Sequence, residues 1–256
     1  MRIDLNADVG ESFGAWSLGE DEALIPHVTS VNVAAGLHAG DPMTIARTVA
    51  LAVRHGAAIG AHPGYPDLSG FGRRAMALTP DEIEATVLYQ VGAVAAFARA
   101  GGGDLRHVKA HGALYNRAAR DEAAAAAIAR AVIRFSPSLV LVGLAGSALI
   151  AAGREAGLAV AEEVFADRAY EPDGTLRSRE HADAVLDEPE AAAAQALALV
   201  RGGVQALDGT AVTLRADTIC VHGDLPGAAA RAKAVRAALE ADRVEVRALD
   251  PGGSRG

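Results

Sequence analysis

Short apolar runs alternate with longer Ala-, Leu- and Arg-rich stretches along the chain. The short runs, Ile3–Val9, Val28–Ala34, Ala57–Ala61, His107–Ala110, Leu139–Leu144, Ala159–Val164, Thr218–Val221 and Val244–Ala248, have the length and the aliphatic, often β-branched, content of strands. Between them, Pro42–His55, Pro80–Ala100, Asp121–Phe135, Ser147–Ala156, Pro189–Gly202 and Pro226–Ala241 predict helices. Several of these open at proline, whose missing N–H and fixed φ suit a first helical turn. Strands joined by helices form crossover units, and seven or eight such units predict one closed α/β barrel of parallel strands, TIM-like, over an open doubly wound sheet. The tracts Ala123–Ala127 and Ala191–Ala194 read as outer helices, alanine being the best helix former. The alternation breaks twice. Asp167–Glu188 is charged and without apolar period, which predicts an excursion over the barrel mouth. Pro251–Gly256 predicts a flexible tail after a single domain spanning residues 1–250.

Bulk composition narrows the partners. The 256 residues are 51% hydrophobic, enough for one full-sized core and near the roughly 250 residues of a single barrel domain. A net charge of -8, with no run of lysine and arginine, speaks against nucleic acid. No apolar stretch reaches the roughly 20 residues that span a bilayer, and Met1–Asn6 holds no apolar leader ahead of the first carboxylates, which predicts a soluble, cytoplasmic chain without membrane contact. The single cysteine, Cys220, excludes an internal disulfide framework and fits a reducing compartment. Inside the apolar run Thr218–Val221 it reads as a small buried hydrophobe.

Polar residues concentrate where strands end, in Asp4–Glu11, Asn32–Asp41, Gly60–Arg74, Lys109–Asn116 and Val221–Asp224. In a parallel barrel these ends surround one mouth, where active sites of this architecture sit. The predicted lining is therefore Asp8, Glu11, His38, His62, Lys109, His111, Glu163, His222 and Asp224. Asp4, Asn6 and Asp8 alternate with apolar residues through the first strand and point to one side. Asp4 and Asn6 are expected in an internal hydrogen-bond network, and Asp8 at the mouth. The Gly/Pro-rich loop Gly60–Arg74 ends in Arg73 and Arg74, candidates to grip a carboxylate or phosphate. Lys109 is one of two lysines against 22 arginines, which marks a compact or tunable charge. Tyr115 and Asn116 follow it as candidates for orienting substrate.

Imidazoles and carboxylates from separate strands also suit a borderline divalent ion, with Asp8, His38, His62 and His111 as candidate ligands. The competing reading keeps the imidazoles as proton shuttles, their tautomers set by Glu11 or Asp8. No phosphate-binding Gly-x-x-x-x-Gly-Lys-[Ser/Thr] loop occurs.

Taken together, Asp4–Gly14, Asn32–Pro42, Gly60–Arg74, His111–Asn116, Glu163–Arg168 and Val221–Asp224 resemble the LamB/YcsF family, in matching order from the first strand to about Asp224. The chain departs from the family pattern by small apolar exchanges: Ala7 and Ala35 stand where cysteine is usual, Leu37 where phenylalanine is, and Ala110 where proline precedes His111-Gly112. The resemblance implies a barrel of the glycoside hydrolase/deacetylase type. It implies the A subunit of an ATP-dependent 5-oxoprolinase, which opens 5-oxo-L-proline to L-glutamate with B and C subunits. ATP with Mg2+ is then the nucleotide. On this expectation Asp8, Glu11, His38, His62, Lys109 and His111 are catalytic, and Arg73, Arg74, Tyr115, Asn116, Glu163, His222 and Asp224 bind substrate. Two alternatives stay open, a metal-dependent amidohydrolase or deacetylase acting on a sugar derivative and a non-catalytic substrate-binding subunit. Assembly into a homo-oligomer stays open too.

Overall fold

The computed structural model describes residues 1–249; the tail expected over 251–256 lies outside the described residues. The strands are β1 (Arg2–Val9), β2 (Ser30–Ala34), β3 (Ala58–His62), β4 (Leu105–Lys109), β5 (Val140–Leu144), β6 (Ala159–Phe165), β7 (Gly203–Gln205), β8 (Ala211–Thr213), β9 (Thr218–Val221) and β10 (Glu245–Val246). Helices α1 (Asp21–Leu24), α2 (Pro42–His55), α3 (Pro80–Ala100), α4 (Gly112–Ala118), α5 (Glu122–Phe135), α6 (Ala148–Glu155), α7 (Pro189–Val200) and α8 (Ala228–Ala241) connect them.

Seven parallel strands close the ring in the order β1-β2-β3-β4-β5-β6-β9, and β9 returns to pair with β1. The eighth run expected as a strand, Val244–Ala248, contributes only β10, which pairs with Arg2 and Ile3 outside the ring. The antiparallel hairpin β7–β8 is an insertion ahead of β9. Among the described residues no helix is long and apolar enough to cross a membrane.

Helices α2, α3, α5 and α6 begin where the sequence supplies side-chain caps. Asp41 accepts the Met43 N–H at 2.9 Å ahead of Pro42, and Thr79 and Glu82 form a reciprocal capping box ahead of Pro80. The main core lies between strands and helices: Leu5, Ala7, Val31, Val33, Ile59, Val108, Leu141, Val164 and Ile219 face outward onto Val49, Val91, Ile128, Leu199 and Val235.

The lumen is built differently. Asn6 on β1 donates to Glu163 on β6 at 3.1 Å, His107 on β4 meets Asn32 on β2 at 2.8 Å, and Lys109 on β4 reaches Cys220 on β9 at 3.1 Å. None of these strand pairs is adjacent in the ring, so the bonds cross the barrel interior. Asp4 closes the network below, accepting from the hydroxyls of Thr29, Ser30 and Thr218. Gly60 makes this possible, because a Cβ there would lie 2.1 Å from His107 Nε2. The alternation read in Asp4, Asn6 and Asp8 thus has the structural outcome expected of it: buried polar groups satisfied by one another.

Candidate active site

Lys109 ends β4 with its ammonium inside the barrel, 2.9 Å from Asp8 Oδ1, 2.8 Å from Glu163 Oε1 and 3.1 Å from Cys220 Sγ. Burial lowers the pKa of such an amine, but Asp8, Cys220 and Glu163 outweigh it and hold Lys109 charged, well above its ordinary value. In return, Asp8 stays well below the usual carboxylate range despite burial, through His62 and Lys109. Cys220 is buried as expected. It is not merely a packing residue, because its sulfur accepts from Lys109.

The imidazoles form a wall on the β2–β4 side. His62 Nδ1 lies 2.8 Å from the Lys109 carbonyl and His111 Nε2 lies 2.8 Å from the Phe71 carbonyl. Carbonyls only accept, so both of these nitrogens carry hydrogen. The two remaining nitrogens, His62 Nε2 and His111 Nδ1, face each other at 3.0 Å. Two bare lone pairs do not approach that closely; one proton lies between them, and Asp8 Oδ2, 3.5 Å from His62 Nε2, balances its charge. Backbone carbonyls, and not Glu11 or Asp8, therefore fix these tautomers. Phe71 presents its carbonyl from a left-handed backbone conformation with φ of 54°.

His38 stacks on His111 at 3.9 Å with an interplanar angle of 6°, and both its ring nitrogens are buried without partners. Burial and the neighbouring His111 and His62 lower its pKa far below that of free imidazole, so it is neutral. Glu11 stands 3.9 Å from His111 Nδ1, its pKa pushed well above the usual range by burial and by Asp8 and Asp224.

Across the mouth, His222 follows β9. Its Nδ1 lies 2.9 Å from Asp167 Oδ1, and its backbone N–H donates to Asp167 Oδ2 at 2.8 Å. Burial alone would raise the Asp167 pKa, yet His222 holds the carboxyl below its ordinary range. Asp224 is clasped by Arg73 at 2.6 Å and Arg179 at 3.3 Å.

A cavity of about 720 Å3 opens over these groups, within the size range of small-molecule sites. Asp8, Glu11, His62, Lys109, His111, Tyr115, Asn116, His222, Asp224 and Arg73 line it. So do Arg168 and residues 175–181 from the irregular segment predicted as an excursion. That segment is pinned by Tyr170, whose hydroxyl accepts the Phe165 N–H, and by Gln195, which donates to three carbonyls of its first turn.

Glu163 lies beneath the cavity floor, tied to Lys109 and to the Tyr115 hydroxyl at 2.8 Å. His38 lies behind His111. Arg74 is not brought to the cavity: adjacent residues on the loop diverge, and Arg74 instead pairs with Asp67 at the surface, bracing the loop. Sequence reasoning missed Asp167 and Arg179 as site residues. Asp167 carried a signal, because the inward alternation Ala161, Glu163, Phe165 extends to it.

The four metal-ligand candidates do not converge on one point. Donor triads exist in two other combinations, Asp8–Cys220–His222 and Glu11–His38–His111. In the first, the ammonium of Lys109 already contacts both Asp8 and Cys220, where a cation would bind. In the second, both ring nitrogens of His111 are already engaged, Nε2 with the Phe71 carbonyl and Nδ1 with His62 Nε2. The donor set does not fit a resident metal ion as arranged.

A closed α/β barrel with a lysine-centred polar lumen and a ring of imidazoles at its mouth defines a hydrolase-type site. Residues 3–252 match the LamB/YcsF family, and the chain belongs to that family. It is 60% identical over 248 residues to the A subunit of 5-oxoprolinase from Chloroflexus aggregans, covering 96% of this chain and 98% of that protein. It is 59% identical to the protein of the same name from Methylococcus capsulatus, covering 96% and 95%. The crystal structure of the lactam utilization protein from Thermus thermophilus superposes with a TM-score of 0.92 at 52% identity, over 97% of this chain and 100% of that one.

Proposed function

We propose that the chain is the A subunit of an ATP-dependent 5-oxoprolinase, working in the cytoplasm with B and C subunits to open 5-oxo-L-proline to L-glutamate. Relatives bearing that name at 60% and 59% identity support it, as does the lactam utilization protein of matching fold. The observation that carries the reading is Lys109: a permanently charged ammonium fixed at the floor of a cavity whose rim is guanidinium and whose wall is imidazole. The rim suits the substrate carboxylate, the floor suits negative charge developing on a carbonyl-derived oxygen, and the wall suits proton transfer to a ring nitrogen.

A lactam amide is a poor electrophile, and ATP, supplied as its magnesium complex, activates it by phosphorylating the carbonyl oxygen. In this chain, Arg73 binds the carboxylate, with Asp224 fixing the guanidinium. Asn116 and Tyr115 flank the ring. The His62–His111 pair carries a transferable proton, Asp8 balances its charge, Glu11 holds its own proton beside it and His38 packs behind His111, while Glu163 keeps Lys109 aimed upward. The metal-dependent alternative on a sugar derivative draws little support from a site in which Lys109 already fills the position of a cation.

The test is glutamate release from 5-oxoproline by the purified chain alone and combined with B and C subunits, each with and without ATP. Glutamate is expected only from the complete mixture with ATP. No glutamate from any mixture, with the three subunits shown to be folded and associated, would overturn the reading.

A further inference from the structure

Hydrolysis needs a group that takes a proton from water, and hydrogen-bond counting leaves few candidates among the buried imidazoles. His62 and His111 already share a proton across their 3.0 Å contact, so neither is free to accept one. His38 is walled behind His111 and does not line the cavity. His107 lies lower in the lumen, its Nε2 on Asn32, and burial with Lys109 holds it down to about 3.

His222 differs from all four. Its Nδ1–H donates to Asp167, so Nε2 carries the lone pair, and no protein group among the described residues bonds to it. Its ring lines the cavity and stacks on Phe165 at 5.3 Å, and its own backbone N–H is held by the same carboxylate. His181 also lines the cavity, but it is exposed, and among the described residues no hydrogen bond to a carboxylate fixes its ring. We propose that His222 is the catalytic base that deprotonates the attacking water, and that Asp167 is its positioning residue. The proposal rests on the lactam-opening reading above and moves the base away from the Asp8 and Glu11 side of the mouth.

The proton traffic balances on a lactam activated as its O-phosphorylated C=N form. Water adds to the ring carbon. One of its protons passes to His222 Nε2, and the C=N π pair moves onto nitrogen, which takes the proton shared by His62 and His111. The adduct's hydroxyl proton then returns to that pair as the carbonyl re-forms. The C–N bond breaks, and nitrogen takes the proton from His222. One hydrogen of the water reaches the amine through His222, the other replaces the proton that the His62–His111 pair gave to nitrogen, the imidazoles return to their starting states, and the product is an acyl phosphate that a second water cleaves to carboxylate and phosphate.

The carboxylates that act on His222 are Asp167 from the segment after β6, Asp224 beyond β9 and Asp8 on β1, and Arg73 from the β3–α3 loop and Arg179 pair with Asp224 beside it. Removing the Asp167 charge should therefore lower the basicity of the ring.

The test uses the complete complex with ATP. His222→Gln is expected to lower kcat by about 10²–10⁴-fold while the KM for 5-oxoproline stays within about twofold. Asp167→Asn should lower kcat and move the acidic limb of the kcat–pH profile to lower pH, and Asp167→Glu, which keeps the charge, should recover part of the loss. Measurements of melting and of complex assembly identify a variant that fails to fold, and the Asn/Glu pair then decides. A His222→Gln enzyme within about twofold of wild type, or an Asp167→Asn enzyme with an unmoved profile, overturns this assignment alone. A wild-type complex that releases no glutamate overturns the lactam-opening reading together with it.

Discussion

The barrel has two interiors. Outside the strands, Leu5, Val31, Ile59, Val108 and Ile219 pack against helices with no polar partner to satisfy, as in any α/β protein. Inside, where barrels of this class usually stack branched apolar side chains, only Val140, Val142 and Ala161, with Leu249 beneath, form an apolar patch. Among the described residues the lumen also holds Asp4, Asn6, Asp8, Ser30, Asn32, His107, Lys109, Glu163, Thr218 and Cys220, all buried. The outer layer is held by area and volume, which many side chains can supply. The inner layer is held by donors and acceptors that must match one to one, because an unpaired buried polar group costs about 1–3 kcal/mol. Stability thus resides mainly outside the strands and chemistry inside.

The strongest way to break that division is Lys109→Met, which keeps length and removes charge. Asp8 and Glu163 would then face each other without the ammonium. The expected loss in kcat is about 10³-fold or more, together with destabilisation of about 3–5 kcal/mol from stranded carboxylates. Denaturant unfolding and glutamate release measure the two effects. A variant that is destabilised but retains kcat would refute the electrostatic role of the lysine. In the outer layer, Ile128→Ala on α5 should cost about 2–5 kcal/mol by leaving a cavity, with kcat per folded molecule unchanged. An equal loss of kcat would show that the two layers are mechanically coupled.

The same division governs what the sequence makes legible. The outer layer obeys period, so Pro42–His55 and Pro80–Ala100 match their helices to the residue, and every ring strand is anticipated within two residues at either end. Short elements escape. Helix α4 opens at Gly112 without a side-chain cap, and β7 and β8 have only three residues each, too few to show alternation. At the mouth, residue type and position at strand ends brought Asp8, His62, Lys109, His111 and His222 together. What residue type cannot supply is pairing. Arg73 and Arg74 are equivalent in sequence, and only the turn of the loop sends one to Asp224 and the other to Asp67. Cys220 read as apolar by its neighbours, although its parity with Thr218 and His222 put it in the lumen. Tautomers were beyond reach because the carbonyls of Lys109 and Phe71 fix them, and backbone groups leave no mark on residue type.

Glu11 gives a smaller test of the inner layer, since it is a carboxyl the lumen does not welcome as an anion. Its folded pKa is raised, chiefly by burial and then by Asp8 and Asp224, so its share of stability is intact below the unfolded value and is lost as pH rises toward the folded one. Glu11→Gln should therefore raise the melting temperature at neutral pH, with a gain that shrinks to nothing near pH 4. A gain of the same size at both pH values would point to packing instead of ionisation.

The smallest expected effect is at Cys220. Its sulfur is one of four acceptors around Lys109, beside the Asn6 amide oxygen and two carboxylates that supply most of the attraction. Cys220→Ser offers a shorter oxygen acceptor in the same place, trading a weak hydrogen bond for a stronger one at a longer reach, so stability and kcat should each change little, within about 1 kcal/mol and about threefold. Cys220→Val fills similar space without an acceptor and should lose more, because the ammonium then has an apolar neighbour in place of a partner. If valine is tolerated as well as serine, as measured by urea unfolding and glutamate release, Asp8 and Glu163 suffice to hold the lysine and the thiol belongs with the outer layer's logic of packing. If serine outperforms valine in both, the one-to-one matching that distinguishes the lumen extends to its least polar member.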